Sequence, residues 1–108
     1  MYNIIMNEIT FEWDENKNQI NKYKHGISFE EAKTVFYDNN AIVFDDPDHS
    51  IEEDRFLILG LSMHENLCIV SHCCRGENET IRIISARTAT KNEIKTYNEY
   101  TGDVDYER

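Results

Sequence analysis

The chain has 108 residues, 21 of them acidic and 11 basic, for a net charge of −10, with 40% hydrophobic and 11% aromatic residues. That length supports a single domain (1–108, with a core over about 10–100) and is too short for two. No apolar run approaches membrane-spanning length, and MYNIIMNEIT has no basic region ahead of its apolar patch; no membrane segment or secretory leader is read, and a cytoplasmic location is expected.

Residues 1–8 read as a loose leader, and Thr10–Trp13 as a short first strand. Asp14 caps a helix running to His25, with Trp13, Ile20 and Tyr23 spaced to share one face, and Gly26 supplies its left-handed stop. Ser28 opens a second helix with Glu31 completing a capping box, and Phe29, Ala32, Val35 and Phe36 form its apolar stripe. The pattern then changes to period two. Strands are predicted over Ala41–Phe44, Arg55–Ser62, Leu67–Arg75 and Thr80–Arg87, with an acidic loop over Asp45–Asp54 and four-residue turns at Met63–Asn66 and Gly76–Glu79. A last helix runs from Lys91 to about Tyr100, with Thr90 and Glu93 as a capping box and Ile94 and Tyr97 facing in, and the tail from Asp103 is expected to fray. The expected fold class is α+β: a four-stranded antiparallel sheet plus the short first strand, with two N-terminal helices and one C-terminal helix packed on it.

Cys68, Cys73 and Cys74 are odd in number, and Cys73 and Cys74 fall on opposite strand faces, which suits a reducing compartment. His72 beside Cys73 and Cys74 is too crowded to form a tetrahedral zinc site alone; no metal and no cofactor is expected. The acidity argues against a nucleic-acid ligand, yet it is unevenly spread. Asp38–Asp54 has seven acids and no Lys or Arg, whereas Arg75–Lys95 has five basic residues against three acids, and Lys17, Lys22, Lys24 and His25 form a second basic group.

With four-residue turns, Ser62 pairs with Leu67 and Arg75 with Thr80. His72 then lies across from Leu57 and Ile83, Arg87 across from Cys68, and Arg55 across from Cys74. Arg55, His72 and Arg87 would share one face, and Arg75 and Arg82 the opposite one. For His72 the competing reading is a hydrogen-bonded core residue, for Arg55 a salt bridge with the preceding acids, and for Lys24, Arg75, Arg82 and Lys91 plain surface charge. Arg87 stands where a strand ends and a helix begins, close to a helix N-terminus that favours anions.

Three segments carry a family resemblance: FEWDENKNQINKYKHGISFEEAKTVF (11–36), DDPDHSIEEDRFLILGLS (45–62) and IRIISARTATKNEIKTY (81–97). Together, the W-D start, K-H-G-I-S-F-E-E-A, D-P-D-H-S, E-D-R-F and I-I-S-A-R make the chain similar, over roughly residues 10–100, to BrnT toxins of bacterial type II toxin–antitoxin pairs. The resemblance implies a RelE-like fold and a ribonuclease that inhibits translation. It also implies neutralisation by BrnA, a dimeric ribbon–helix–helix antitoxin, in a heterotetramer that meets operator DNA only through the antitoxin. The matching positions are Lys24 and His25, Arg55, and Arg87, with His72 and Arg75 in the strand-and-turn region.

The function expected is RNA cleavage by attack of the 2′-hydroxyl on its neighbouring phosphate. Arg55 and Arg87 would stabilise the developing charge, and His72 would move protons, with His25 or Lys24 as the alternative. Lys24, His25, Arg75, Arg82 and Lys91 would bind RNA. Two other classes compete: an inactive relative that serves as an antitoxin-binding co-repressor module, and a plain structural α+β domain.

Overall fold

The computed structural model describes residues 9–48, 54–75 and 80–101. The predicted leader, the middle of the acidic loop, the Gly76–Glu79 turn and the tail lie outside the described residues. The elements run β1 (Thr10–Glu12), α1 (Glu15–His25), α2 (Phe29–Ala32), a 3-10 turn (Lys33–Tyr37), β2 (Ile42–Asp45), β3 (Arg55–Leu61), β4 (Leu67–Arg75), β5 (Thr80–Thr88) and α3 (Lys91–Thr101).

Local chemistry sets the helix ends. Asp14 Oδ1 accepts from the backbone N–H groups of Asn16 and Lys17 at 2.8 and 3.2 Å, and Gly26 closes α1 at φ 73°, a backbone angle glycine adopts at no steric cost. Thr90 and Glu93 make the predicted reciprocal capping box, at 2.8 and 3.2 Å. At Ser28 only half of the predicted box forms: Ser28 Oγ accepts from Glu31 N at 3.0 Å. The Glu31 side chain turns away to accept from Ser62 Oγ at 2.6 Å and Asn66 Nδ2 at 2.7 Å.

The strands form one five-stranded sheet in the order β1-β5-β4-β3-β2. It is mixed, because β1 pairs with β5 in parallel while β2 to β5 form an antiparallel meander. Parallel pairing fits the long excursion through α1 and α2 between β1 and the rest of the sheet. The inner face buries Ile58, Cys68, Val70, Ile83 and Ala86 against Ile27, Phe29, Ala32 and Val35. Leu59 and Ile69 are buried but lie outside that cluster, on the opposite face, where α3 meets β3. Tyr97 anchors α3 there by donating its hydroxyl to Asp38 Oδ2 at 2.6 Å.

One helix packs differently from expectation. Ile20 and Tyr23 are 58% and 92% exposed, whereas Asn18 and Asn21 are buried. The reason is backbone hydrogen bonding. Asn18 Oδ1 accepts from Phe29 N at 2.8 Å. Asn21 donates to the carbonyls of Ile27 and Ala86 at 2.9 and 2.8 Å and accepts from Ala86 N at 3.1 Å. Beyond Arg82 β5 has no strand on its outer side, and the Asn21 amide pairs that edge as a short strand would.

Candidate active site

Two one-residue shifts in register decide which polar residues meet. In the β3–β4 hairpin Ser62 leaves the strand to bond Glu31, and Glu65 adopts φ 66°. A left-handed residue after a tight turn lengthens a hairpin loop by one, so Leu61, not Ser62, pairs with Leu67. Arg55 therefore faces Cys73, and His72 faces Phe56. Between β4 and β5 the expected pairs Arg75–Thr80 and His72–Ile83 form, but a bulge at Ser71/His72 skips Ile84. Arg87 consequently faces Ile69 instead of Cys68. Side chains alternate along a strand, so a slip of one residue exchanges faces. Both arginines move together and His72 goes to the other side, which corrects the expectation that all three share a face.

His72 sits 4% exposed among inner-face residues. Its ring lies edge-on to Phe36 at 4.8 Å and tilted against Phe56 at 6.0 Å. Nδ1 lies 3.2 Å from the Val70 carbonyl, an acceptor only, which places the proton on Nδ1. Burial holds its pKa below the usual imidazole value, the Val70 contact opposing it.

The outer face opens into a cleft of about 250 Å³ with Ser71, Ser85 and Leu57 among its lining residues. Arg55 enters it from β3, Arg87 from β5, and His25 from the end of α1, while Asp46 and Asp48 line the same cleft. The Asp46 backbone N–H donates to the Arg55 carbonyl at 3.0 Å, carrying the β2–β3 pairing one step past the strand end. Asp46, itself buried, accepts at Oδ1 from Asp48 N at 3.1 Å, a local turn that holds both acids against the cleft.

Arg87 is held from behind. Its Nη1 and Nη2 donate to the two carboxylate oxygens of Glu93 at 2.9 and 3.0 Å, and Nη1 also to the Thr88 carbonyl at 3.2 Å. These hydrogen bonds raise the Arg87 pKa and hold the Glu93 carboxyl below its ordinary value. The pair is not closed off from solvent, since the Arg87 side chain is 41% exposed and lines the cleft. A two-pronged pair of this kind fixes the plane of the guanidinium. Glu93 thus both caps α3 and orients Arg87. The sequence shows the first role through the capping spacing; nothing in the spacing signals the second.

The remaining candidates lie elsewhere. Arg75 and Arg82 both reach the Glu12 carboxylate, at 3.5 and 3.2 Å. They share a face, as expected, but it is the face of Arg55, because Cys73 pairs with both Arg55 and Arg82. Neither lines the cleft, nor does Lys91, the exposed first residue of α3. Lys24 lines a neighbouring depression that shares His25 with the cleft. All three cysteines are free thiols. Among the described residues no three His, Cys, Asp or Glu side chains gather as metal ligands, and no helix is long and apolar enough to cross a membrane.

The chain matches the family model described as ribonuclease toxin, BrnT, of type II toxin–antitoxin system, over residues 13–93. No curated protein sequence matches it. Among solved structures it is similar to the Brucella abortus ribonuclease toxin BrnT, known from a 1.1 Å crystal structure. The TM-score is 0.61 and the identity 27%, over 78% of this chain and 100% of that one. The matched stretch contains α1 with its K-H-G end, the E-D-R-F strand start and the I-S-A-R strand end, and therefore His25, Arg55 and Arg87 of the cleft: this chain belongs to the BrnT family of type II toxin–antitoxin ribonuclease toxins.

Proposed function

We propose that this chain is an endoribonuclease toxin that inhibits translation by cutting RNA within the Arg55–Arg87 cleft. The observation that carries the reading is the meeting of Arg55, Arg87 and His25, from three separate elements, on one open pocket. A phosphate diester fits such a pocket, because guanidinium groups match phosphate oxygens in geometry and keep their charge.

In the proposed reaction the ribose 2′-oxygen attacks the adjacent phosphorus and the 5′-oxygen leaves, giving a 2′,3′-cyclic phosphate and a 5′-hydroxyl. The 2′-hydroxyl proton goes to a base, and an acid supplies one to the 5′-oxygen. His25 is the imidazole in the cleft, and imidazole both accepts and donates protons near neutral pH. His72, on the inner face against Phe36 and Phe56, contributes packing instead. Arg55 and Arg87 stabilise the extra negative charge of the five-coordinate phosphorus; losing one such donor costs on the order of 100-fold in rate. The partner in this reading is a ribbon–helix–helix antitoxin dimer that neutralises the toxin in a heterotetramer and carries it to operator DNA.

Inducible expression with and without the adjacent reading frame tests the reading. Growth arrest relieved by the neighbour, and abolished by Arg87→Ala, is the expected result. Unchanged toxicity of a folded Arg87→Ala chain would remove Arg87 from the mechanism. A second reading, an inactive antitoxin-binding co-repressor, is favoured by the Arg87–Glu93 pair and by the two acids in the cleft; no growth arrest on expression alone would support it.

A further inference from the structure

The cleft does not end at His25 and Ser85. Both residues also line a second depression of about 200 Å³ on the side of α1. Lys17, Ile20 and Lys24 come from one stripe of that helix, and Ile84, the residue skipped by the β5 bulge, lies opposite. Lys17 and Lys24 are seven residues apart, or two turns and about 10 Å along the helix axis. Both are exposed, and neither pairs with an acid among the described residues. The lining includes no carboxylate, on a chain whose net charge is −10. Ile20 is 58% exposed beside them.

We infer that this depression is the subsite for the nucleotide one step beyond the pair joined by the scissile phosphate of a single-stranded RNA. It rests on the ribonuclease reading above. Lys17 and Lys24 bind backbone phosphates as point charges, and Ile20 and Ile84 give the flanking base an apolar surface. Continuity through His25 and Ser85 lets one strand run from the reacting phosphate into the depression. Asn21, the one side-chain amide in its lining, already spends its donors and acceptor on the backbone of Ile27 and Ala86, so it has none to aim at a base edge. A duplex is a poor occupant, since its bases are stacked inward and cannot reach Ile20 and Ile84.

The test compares the full chain with Lys17→Ala/Lys24→Ala on a dinucleotide and on a six-nucleotide single-stranded RNA, over a salt series. The inference predicts that the ratio of kcat/KM, long over short, falls about tenfold or more in the variant. Each phosphate contact on a single strand contributes about 0.7 to the slope of log affinity against log salt, so the slope for the longer RNA becomes shallower by about 1.4. Ile20→Asp, at an exposed position, lowers the same ratio. A wild-type chain that cleaves, with ratio and slope unmoved in both variants, overturns the subsite and leaves the ribonuclease reading standing. A wild-type chain that cleaves neither RNA overturns the reading on which the subsite rests.

Discussion

Asn21→Ala tests most sharply how α1 holds the cleft together. In the native chain this amide makes three bonds of 2.8–3.1 Å to Ile27 and Ala86, the residue before Arg87, and it is 6% exposed. Truncation leaves the Ala86 N–H and two carbonyls without these partners, and water entering from the depression that Asn21 lines replaces them only in part. A buried group so orphaned costs about 1–3 kcal/mol; with water reaching the site each of the three falls at the low end, so the sum is about 3 kcal/mol. For a domain of this size that corresponds to a fall in Tm of roughly 12 °C. Urea unfolding followed by the fluorescence of the single tryptophan, Trp13, which packs edge-on to Phe29, measures it. Ile20→Ala is the internal control: at 58% exposure its cost stays within about 0.5 kcal/mol. A costly Ile20→Ala beside a cheap Asn21→Ala would show that α1 packs through its apolar residues and not through its amides.

Gly60→Ala destabilises by about 1–3 kcal/mol through overpacking, because a Cβ there would lie 2.8 Å from Val35 Cγ1 and 3.0 Å from Ala41 Cβ; an unchanged urea midpoint would contradict it. His72 has a folded pKa below its unfolded value of 6.5, so below that pH the unfolded chain binds the extra proton. Its contribution is full above 6.5 and is lost as pH falls through that value toward the folded pKa, by at most about 1.4 kcal/mol per pH unit. Relative to wild type, His72→Phe should lose less stability between pH 7.5 and 5.5; parallel losses would show that His72 does not titrate on unfolding. Glu93→Gln removes the carboxylate from behind Arg87 and is expected to lower kcat more than it raises KM; an unchanged kcat would show that Arg87 needs no such support.

The residues that punctuate the chain are legible because each acts locally: Asp14, Gly26, Ser28 and the Thr90–Glu93 box mark helix ends wherever they stand. The placing of both arginines on one sheet face is also legible, though by a different pairing from the expected one. What local pattern cannot supply is register. Glu65 takes a left-handed conformation that composition assigns to glycine or asparagine, and the bulge at Ile84 falls in a strand with no glycine or proline to mark it. Either one separates His72 from an arginine. The packing face of α1 is hidden for another reason: its contact with the sheet is made by amides, and hydrophobic periodicity points to Ile20 and Tyr23 instead. Glu12, which draws Arg75 and Arg82 together, becomes their neighbour only through the parallel pairing of β1 with β5.

If RNA is cut between Arg55 and Arg87, single-turnover cleavage of one single-stranded RNA separates purified wild type from Arg87→Ala. The wild type is expected to give a 2′,3′-cyclic phosphate product, and the folded variant to react about 100-fold more slowly. Equal rates in the two proteins, or a product ending in a 3′-hydroxyl, would contradict it.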